Sequence, residues 1–259
     1  DVVEIIRVLD EELKADDKQI GITTNGSCTI ELLDQMIDAG LTNINFSMHS
    51  LNACNYKEIM GSGSPDETLE KIEYCIEKGL KVKVNCTLLR KYYKDAIDML
   101  ILAEKYPIDL RFVELQEIGP AVQIFDREFI SEAEFCQLPE LVEIMKHQEG
   151  EKNRRDIGVR SPGRYIQING WKGTFAFISN TSMPICADGN RLKITPTGRL
   201  RPCTLENCDI NLKDHLGKDL DQVYQSVFYT MLNRDNNPCH RGFHYIDYNL
   251  RWDNYKFDE

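Results

Sequence analysis

Cys186 and Cys203 bracket a short segment that carries four cations, Arg191, Lys193, Arg199 and Arg201. Arg191 and Lys193 alternate with Leu192 and Ile194, and Arg199 and Arg201 flank Leu200, which is the period of half-buried strands. Thr195-Pro196-Thr197-Gly198 lies between them and supplies turn chemistry. The pattern predicts a hairpin with guanidinium and ammonium groups on one face and apolar side chains packed inward on the other. Folding it brings the two distant cysteines towards one another, and soft thiolates suit iron–sulfur clusters. The chemistry on offer is one half of an iron–sulfur site beside an anion pocket. The same residues also fit a core hairpin with two inert buried thiols and a solvated basic face.

The composition narrows the class. At 259 residues and 42% hydrophobic, the chain can bury a sizeable core as one large domain or one and a half. Nine cysteines, an odd number, without a leader-like segment or an apolar run long enough for a bilayer, favour reduced thiols and metal chemistry over a disulfide framework. A cytoplasmic protein is expected. The formal net charge of −11 disfavours nucleic acid or a membrane as the main partner. A local basic cluster inside an acidic chain points instead to a small anionic ligand.

These residues need a scaffold, and residues 1–118 supply one by alternating helical and strand patterns. Val2, Val3, Ile5, Ile6, Leu9 and Leu13 mark a helix, and Gln19–Thr23 a strand. Ile30, Leu33, Met36 and Ile37 mark the next helix, ended by Gly40, before a strand at Asn43–Ser47. A helix over 65–78, a strand over Lys81–Leu88, a helix over 93–105 and a strand over Leu110–Leu115 complete four β/α steps. The spacing predicts an α/β fold with a parallel sheet, a partial (β/α) barrel whose first strands are missing. Residues 119–160 read as a linking helix and exposed loop, and residues 161–259 as an α+β domain opened by a hairpin over 163–178.

Cys186, eleven residues, Gly198, four residues and Cys203 resemble the twitch-type auxiliary-cluster motif of radical S-adenosylmethionine (SAM) enzymes. The surrounding sequence is similar to the GTP 3′,8-cyclase family of molybdenum-cofactor biosynthesis. That family reads Phe-Cys-x-x-Cys-Asn-Arg-x-Arg where this chain has Ile185-Cys186-Ala187-Asp188-Gly189-Asn190-Arg191-Leu192-Lys193, so Gly189 stands at the middle ligand. The resemblance implies an auxiliary [4Fe–4S] cluster held by Cys186 and Cys203, with Cys208, Cys239 or both completing it. It also implies SAM and a second [4Fe–4S] cluster, bound through a Cys-x3-Cys-x2-Cys loop that no three of the nine cysteines provide. That loop is expected upstream of Asp1 in the intact protein, and residues 1–259 without it are expected to be inactive.

The resemblance extends to individual positions. Thr23, in Thr23-Thr24-Asn25-Gly26, and Lys83, in Val82-Lys83-Val84-Asn85, correspond to nucleotide-contacting residues. Read by itself, the Thr23 segment is an ordinary helix-capping sequence. A lysine on an otherwise apolar buried strand requires an anionic partner whatever its role. Arg111 and Glu114 match an Arg-Phe-Ile-Glu strand, and Arg191 and Lys193 would hold phosphate. Ser47 and Gln116 would contact SAM, although Met48-His49 follow Ser47 where the family has Leu-Asp. The implied activity is radical rearrangement of a purine nucleotide, in a protein that can form a homodimer. Two other readings fit the same residues: a twitch-type enzyme acting on another small molecule or peptide, and a non-catalytic remnant that binds a nucleotide or partner.

Overall fold

The computed structural model describes residues 2–13, 18–152, 163–182, 192–201, 210–215, 217, 221 and 225, with backbone alone at 149–152 and 210. The chain divides into two compact units, Asp1–Glu117 with Gln123–Met183, and Ile118–Val122 with Pro184–Glu259.

In the first unit seven strands form one sheet, in the order β1-β2-β3-β4-β7-β6-β5. They are β1 (Gly21–Thr24), β2 (Asn43–Ser47), β3 (Lys81–Leu88), β4 (Asp109–Glu114), β5 (Gln148–Lys152), β6 (Arg164–Ile168) and β7 (Thr174–Ile178). β1 to β4 and β7 run parallel, and β6 and β5 add two antiparallel strands at one edge. Helices α1 (Val2–Glu12), α2 (Ile30–Asp38), α3 (Ala53–Met60), α4 (Pro65–Glu77), α5 (Tyr93–Asp98) and α6 (Leu100–Lys105) alternate with the parallel strands.

Local chemistry sets these boundaries. Thr29 caps α2 by accepting from Leu32 N, and Ser64 caps α4 by accepting from Glu67 N, with Pro65 at the first helical position. The chain leaves α2 through Gly40 at φ 108°, whose N–H donates to Ile37 O at 3.0 Å while Leu41 N donates to Met36 O at 3.0 Å. In β2, β3 and β4 alternate residues are buried: Ile44 and Phe46, then Val82, Val84, Cys86 and Leu88, then Leu110 and Phe112. This face meets Leu33 and Met36 of α2, Ile72 and Cys75 of α4, and Leu100, Leu102 and Ala103 of α6 in one apolar cluster. Phe112 forms its aromatic centre, 5.3 Å from the Phe135 ring and 5.6 Å from Phe177.

The structure departs from the sequence reading in three places. The helix expected over 93–105 is broken at Met99 into α5 and α6 after a 3-10 turn at Arg90–Tyr92. Between 119 and 152 lie three short helices, α7 (Phe125–Glu128), α8 (Glu132–Phe135) and α9 (Pro139–Met145), and then β5, where a loop was expected. Polar β5 is a strand because it completes the hydrogen bonding of β6 at the sheet edge. The 163–178 hairpin, expected to open the second domain, extends the first unit's sheet because β7 pairs with β4 along its whole length.

In the second unit β8 (Lys193–Ile194), β9 (Arg199–Arg201) and β10 (Ile210–Asn211) pair antiparallel in the order β10-β9-β8. The expected turn is present, with Gly198 at φ 79° and Gly198 N donating to Thr195 O at 2.9 Å. The inward apolar face is realised only at Leu200 among the described residues. Leu192 and Ile194 are 43% and 67% exposed, because β8 is a two-residue edge strand with nothing described over it.

The β4–β7 junction depends on one glycine. A Cβ on Gly173 would fall 2.3 Å from Ile108 O and 2.6 Å from Tyr106 O, both rigid backbone. Gly173 N donates to Ala103 O at 2.8 Å and Thr174 N to Ile108 O at 2.9 Å, so retreat would break the ladder. Gly173→Ala is therefore expected to cost about 2–3 kcal/mol, read as a lower urea midpoint. An unchanged midpoint would show that the junction has room to yield.

Candidate functional site

The face of the sheet opposite the apolar cluster is polar and half-buried. Register aligns Thr23, Asn45, Lys83, Asp109 and Thr174 side by side on five adjacent parallel strands. The row satisfies itself laterally. Asn45 Nδ2 donates to Thr23 Oγ1 and to Ile22 O, each at 3.2 Å, and Arg111, one step further along β4, donates to Asn45 Oδ1 at 2.7 Å. Lys83 Nζ stands 3.7 Å from Asp109 Oδ2, and Thr174 Oγ1 donates to Asp109 Oδ1 at 2.8 Å. The anionic partner that a lysine on this strand requires is thus Asp109. The ion pair is long and both side chains are about one-third exposed, so it holds Lys83 only loosely.

One step towards the strand C-termini, Ser47, Asn85, Arg111 and Ala176 form a second row. This row is less complete: Asn85 Oδ1 is buried with no hydrogen-bond partner. Beyond it the ladder continues through Met48 N, which donates to Asn85 O at 3.0 Å. Thr87 N then donates to the imidazole Nδ1 of His49 at 2.9 Å, so the ring takes the place of a ladder carbonyl. Burial of His49 pushes its pKa down to about 4.

At the end of β4, Glu114 is almost completely buried and acts as a lock. Its carboxylate accepts from Glu132 N at 2.9 Å, Thr181 N at 3.2 Å, Ser182 N at 2.8 Å and Ser182 Oγ at 2.6 Å. Glu132, also buried, accepts in turn from Arg164 and Ser179. Gln116 follows two residues after this lock, half-buried and outside both rows.

Four of the sequence-predicted residues, Thr23, Ser47, Lys83 and Arg111, therefore share one sheet face. Lys193 lies in the second unit, exposed, opposite Arg201 in the β8–β9 register. Arg191, Cys186, Cys203, Cys208 and Cys239 lie outside the described residues. Asn45, Asn85, Asp109, Thr174 and His49 complete the site without having been singled out for it. The available signal was polar alternation in three successive strands, which a parallel sheet covered on both faces does not tolerate.

Three of the five described cysteines are held as thiols. Burial pushes the thiols of Cys75 and Cys86 up to about 12 and that of Cys136 to about 11, away from the thiolate a metal needs. No group of metal-binding side chains occurs among the described residues. The polar face does suit an organic ligand, because Asn85 Oδ1 is an unused acceptor and the rows around it offer donors. A cleft of about 400 Å³ lies at the opposite, N-terminal ends of β2 and β3, lined in part by Lys18, Lys78 and Lys81. Lys18 and Lys78 are already paired with Asp10 and Asp34, so the cleft takes no part in the site.

A mostly parallel sheet with crossover helices packed on one face and a polar opposite face is consistent with a partial (β/α) barrel. Comparison with known proteins agrees: residues 1–103 match the radical SAM superfamily, and residues 108–237 match the Molybdenum Cofactor Synthesis C family. The chain belongs to the molybdenum-cofactor-synthesis family within that superfamily. It is 32% identical over 225 residues to the GTP 3′,8-cyclase of Clostridium perfringens, covering 85% of this chain and 67% of the relative. To the GTP 3′,8-cyclase of Alkaliphilus oremlandii it is 34% identical over 220 residues, covering 84% and 65%. Human molybdenum cofactor biosynthesis protein 1 is 32% identical over 220 residues, covering 83% of this chain and 33% of that protein. The chain thus spans about two thirds of the length of the bacterial cyclases. Among solved structures, Streptococcus suis SuiB bound to S-adenosylmethionine shares the fold, with a TM-score of 0.58 at 17% identity over 86% of this chain and 50% of that one. No helix among the described residues is long and apolar enough to cross a membrane.

His49 makes stability depend on pH. Its folded pKa of about 4 lies below that of an unfolded histidine, so its contribution is complete above about pH 6.5 and is lost as pH falls towards 4. Between pH 7.5 and pH 5 the loss is about 2 kcal/mol. Asparagine can keep the acceptor for Thr87 N but does not titrate, so His49→Asn should flatten the pH dependence by that amount in urea titrations. Parallel pH profiles for the two proteins would remove His49 as the cause.

Proposed function

We propose that this chain carries the substrate-binding half of a radical SAM enzyme that rearranges a purine nucleotide, as the GTP 3′,8-cyclases it resembles are named for doing. The observation that carries the reading is the juxtaposition of Thr23, Lys83 and Arg111 on one polar face. They share the face that leads towards the strand C-termini, where α/β proteins hold ligands, with Lys83 third of eight residues in β3 and Arg111 third of six in β4.

SAM and its iron–sulfur cluster, when bound, supply one-electron chemistry at a substrate carbon. This chain's own residues position the substrate. Lys83 and Arg111 bring positive charge to a face that also carries the neutral hydrogen-bonding groups of Thr23, Asn45, Ser47 and Asn85 and one carboxylate, Asp109, which pairs loosely with Lys83. Arg111 is oriented by Asn45, and Asn45 in turn by Thr23, which fixes the guanidinium before a ligand arrives. Five of the chain's nine cysteines are among the described residues, and burial keeps Cys75 and Cys86 as thiols. By the resemblance, ligands for an auxiliary cluster are assigned to Cys186 and Cys203, completed by Cys208, Cys239 or both. Arg191 and Lys193, next to Cys186 in sequence, are assigned to phosphate.

Gly189 at the family's middle cysteine favours a second reading, a related enzyme whose auxiliary cluster is fully ligated and whose substrate is another small molecule. Calorimetric titration of GTP and ATP into the full-length, cluster-loaded protein separates the two. Arg111→Ala should weaken GTP binding by about one to two decades, the usual effect of a charge-assisted contact. Equal affinity for GTP and ATP would favour the second reading, and no binding of either would reject the first.

The polypeptide of residues 1–259 alone is expected to form no 5′-deoxyadenosine from SAM, because no cysteine triplet in it has the Cys-x3-Cys-x2-Cys spacing. The check is chromatography after anaerobic reconstitution and reduction. Product above a no-protein control would show that another set of ligands does the work.

A further inference from the structure

Asp109 is the one carboxylate in the two rows of the polar face, and its two oxygens are used differently. Oδ1 accepts a hydrogen bond from Thr174 Oγ1 at 2.8 Å, across the β4–β7 register. Oδ2 faces Lys83 Nζ at 3.7 Å, across the β3–β4 register, which is an ion pair without a hydrogen bond. Thr174 thus fixes the carboxylate, and the carboxylate attracts the ammonium without gripping it. The buried carboxylates of this chain behave otherwise. Glu114 takes four donors between 2.6 and 3.2 Å, and Glu132 takes Arg164 and Ser179. Lys83 and Asp109 are both about one-third exposed, so water reaches the pair and weakens it. A pair of this kind is a poor structural lock and is easily exchanged.

We propose that Asp109 is a positioning residue for ligand binding: it holds Lys83 on the polar face as a displaceable counter-ion, and an anionic group of the ligand then takes over the ammonium. An ammonium has three N–H donors, and at 3.7 Å it gives none of them to Asp109. A phosphate or carboxylate oxygen at hydrogen-bond distance makes the charge-assisted contact that the pair lacks. A neutral group has no charge to exchange for that of Asp109 and leaves the pair in place. Asp109 thereby favours anionic ligands over neutral ones, and it lowers the affinity of the anion because its own charge lies beside it. The inference deepens the proposed function and rests on it, since it takes the polar face to be the face that binds substrate. The polyphosphate of a nucleotide and the carboxylate of SAM share the required chemistry.

Calorimetry on the full-length, cluster-loaded protein, with GTP and SAM as separate probes, distinguishes the two sources. Asp109→Asn keeps an acceptor for Thr174 Oγ1 and removes the charge. Each probe whose anion meets Lys83 should bind this variant about two- to fivefold more tightly than wild type. A residue needed only to hold the sheet together would give weaker binding or none. Asp38→Asn, at the exposed end of α2 on the apolar side of the sheet, removes the same charge elsewhere and should leave both affinities at their wild-type values. In wild type labelled with 13C-aspartate, the Asp109 carboxylate resonance should shift on adding the same probe. That measurement needs no variant, and so decides the matter if Asp109→Asn fails to fold. Tightening for neither probe, equal tightening in Asp38→Asn, or an immobile Asp109 resonance while a probe binds overturns the role of Asp109 alone. Wild type binding neither probe overturns the reading of the polar face on which it rests.

Discussion

The structure turns on the requirement that polar groups placed inside a parallel sheet find partners sideways. A parallel sheet uses its backbone groups in the ladder and normally fills both faces with apolar side chains. Here one face carries asparagine, lysine, aspartate, arginine and threonine, any of which is costly to bury alone. The in-register row from Thr23 to Thr174 solves this in two groups, Thr23 with Asn45 and Arg111, and Lys83 with Asp109 and Thr174. A slip of one residue on any strand would turn its polar set towards the apolar cluster and its apolar set towards the polar face. The two faces therefore fix the register together, and the register places the binding groups.

Two devices keep the far side of this sheet in place. Gly173 lets the chain pass against the backbone at Tyr106–Ile108 so that β7 can lie beside β4. Glu114 then gathers the residues that follow β7, taking backbone N–H groups from both Thr181 and Ser182 while binding Glu132 N from α8. Truncating such a carboxylate would strand several donors at once, so its role is to satisfy them rather than to react. Thr174, the last member of the polar row, thus owes its position to a glycine just before it and to a carboxylate at the end of the neighbouring strand.

The sequence made the parallel core legible because period and punctuation agree there. Strands at 43–47 and 81–88, the helix opened by Ser64-Pro65 and the turn at Gly40 all appear where patterning puts them. It was less informative from 119 to 178. Short helices of four to seven residues give too few turns to show a period, and β5 is polar because it forms an edge. The site was half legible. Thr23, Lys83, Arg111 and Ser47 stand out by type or by resemblance, whereas Asn45, Asp109 and Thr174 acquire meaning only from register across strands far apart in sequence. The lysine shows the difference: the need for an anion is readable from its strand, but Asp109 as the anion is not.

The same lateral logic explains why the upper level of the face differs from the lower one. A residue already paired before a ligand arrives gains little from a new contact that must displace the existing one. Asn85 Oδ1, buried without a partner in the upper row, has no such contact to displace. In the lower row Thr23 and Asn45 orient Arg111, while Lys83, held only loosely by Asp109, keeps charge to offer a ligand. The sheet thus leaves its unpaired capacity at particular positions, the buried Asn85 oxygen and the weakly held Lys83 among them, rather than spread over the face.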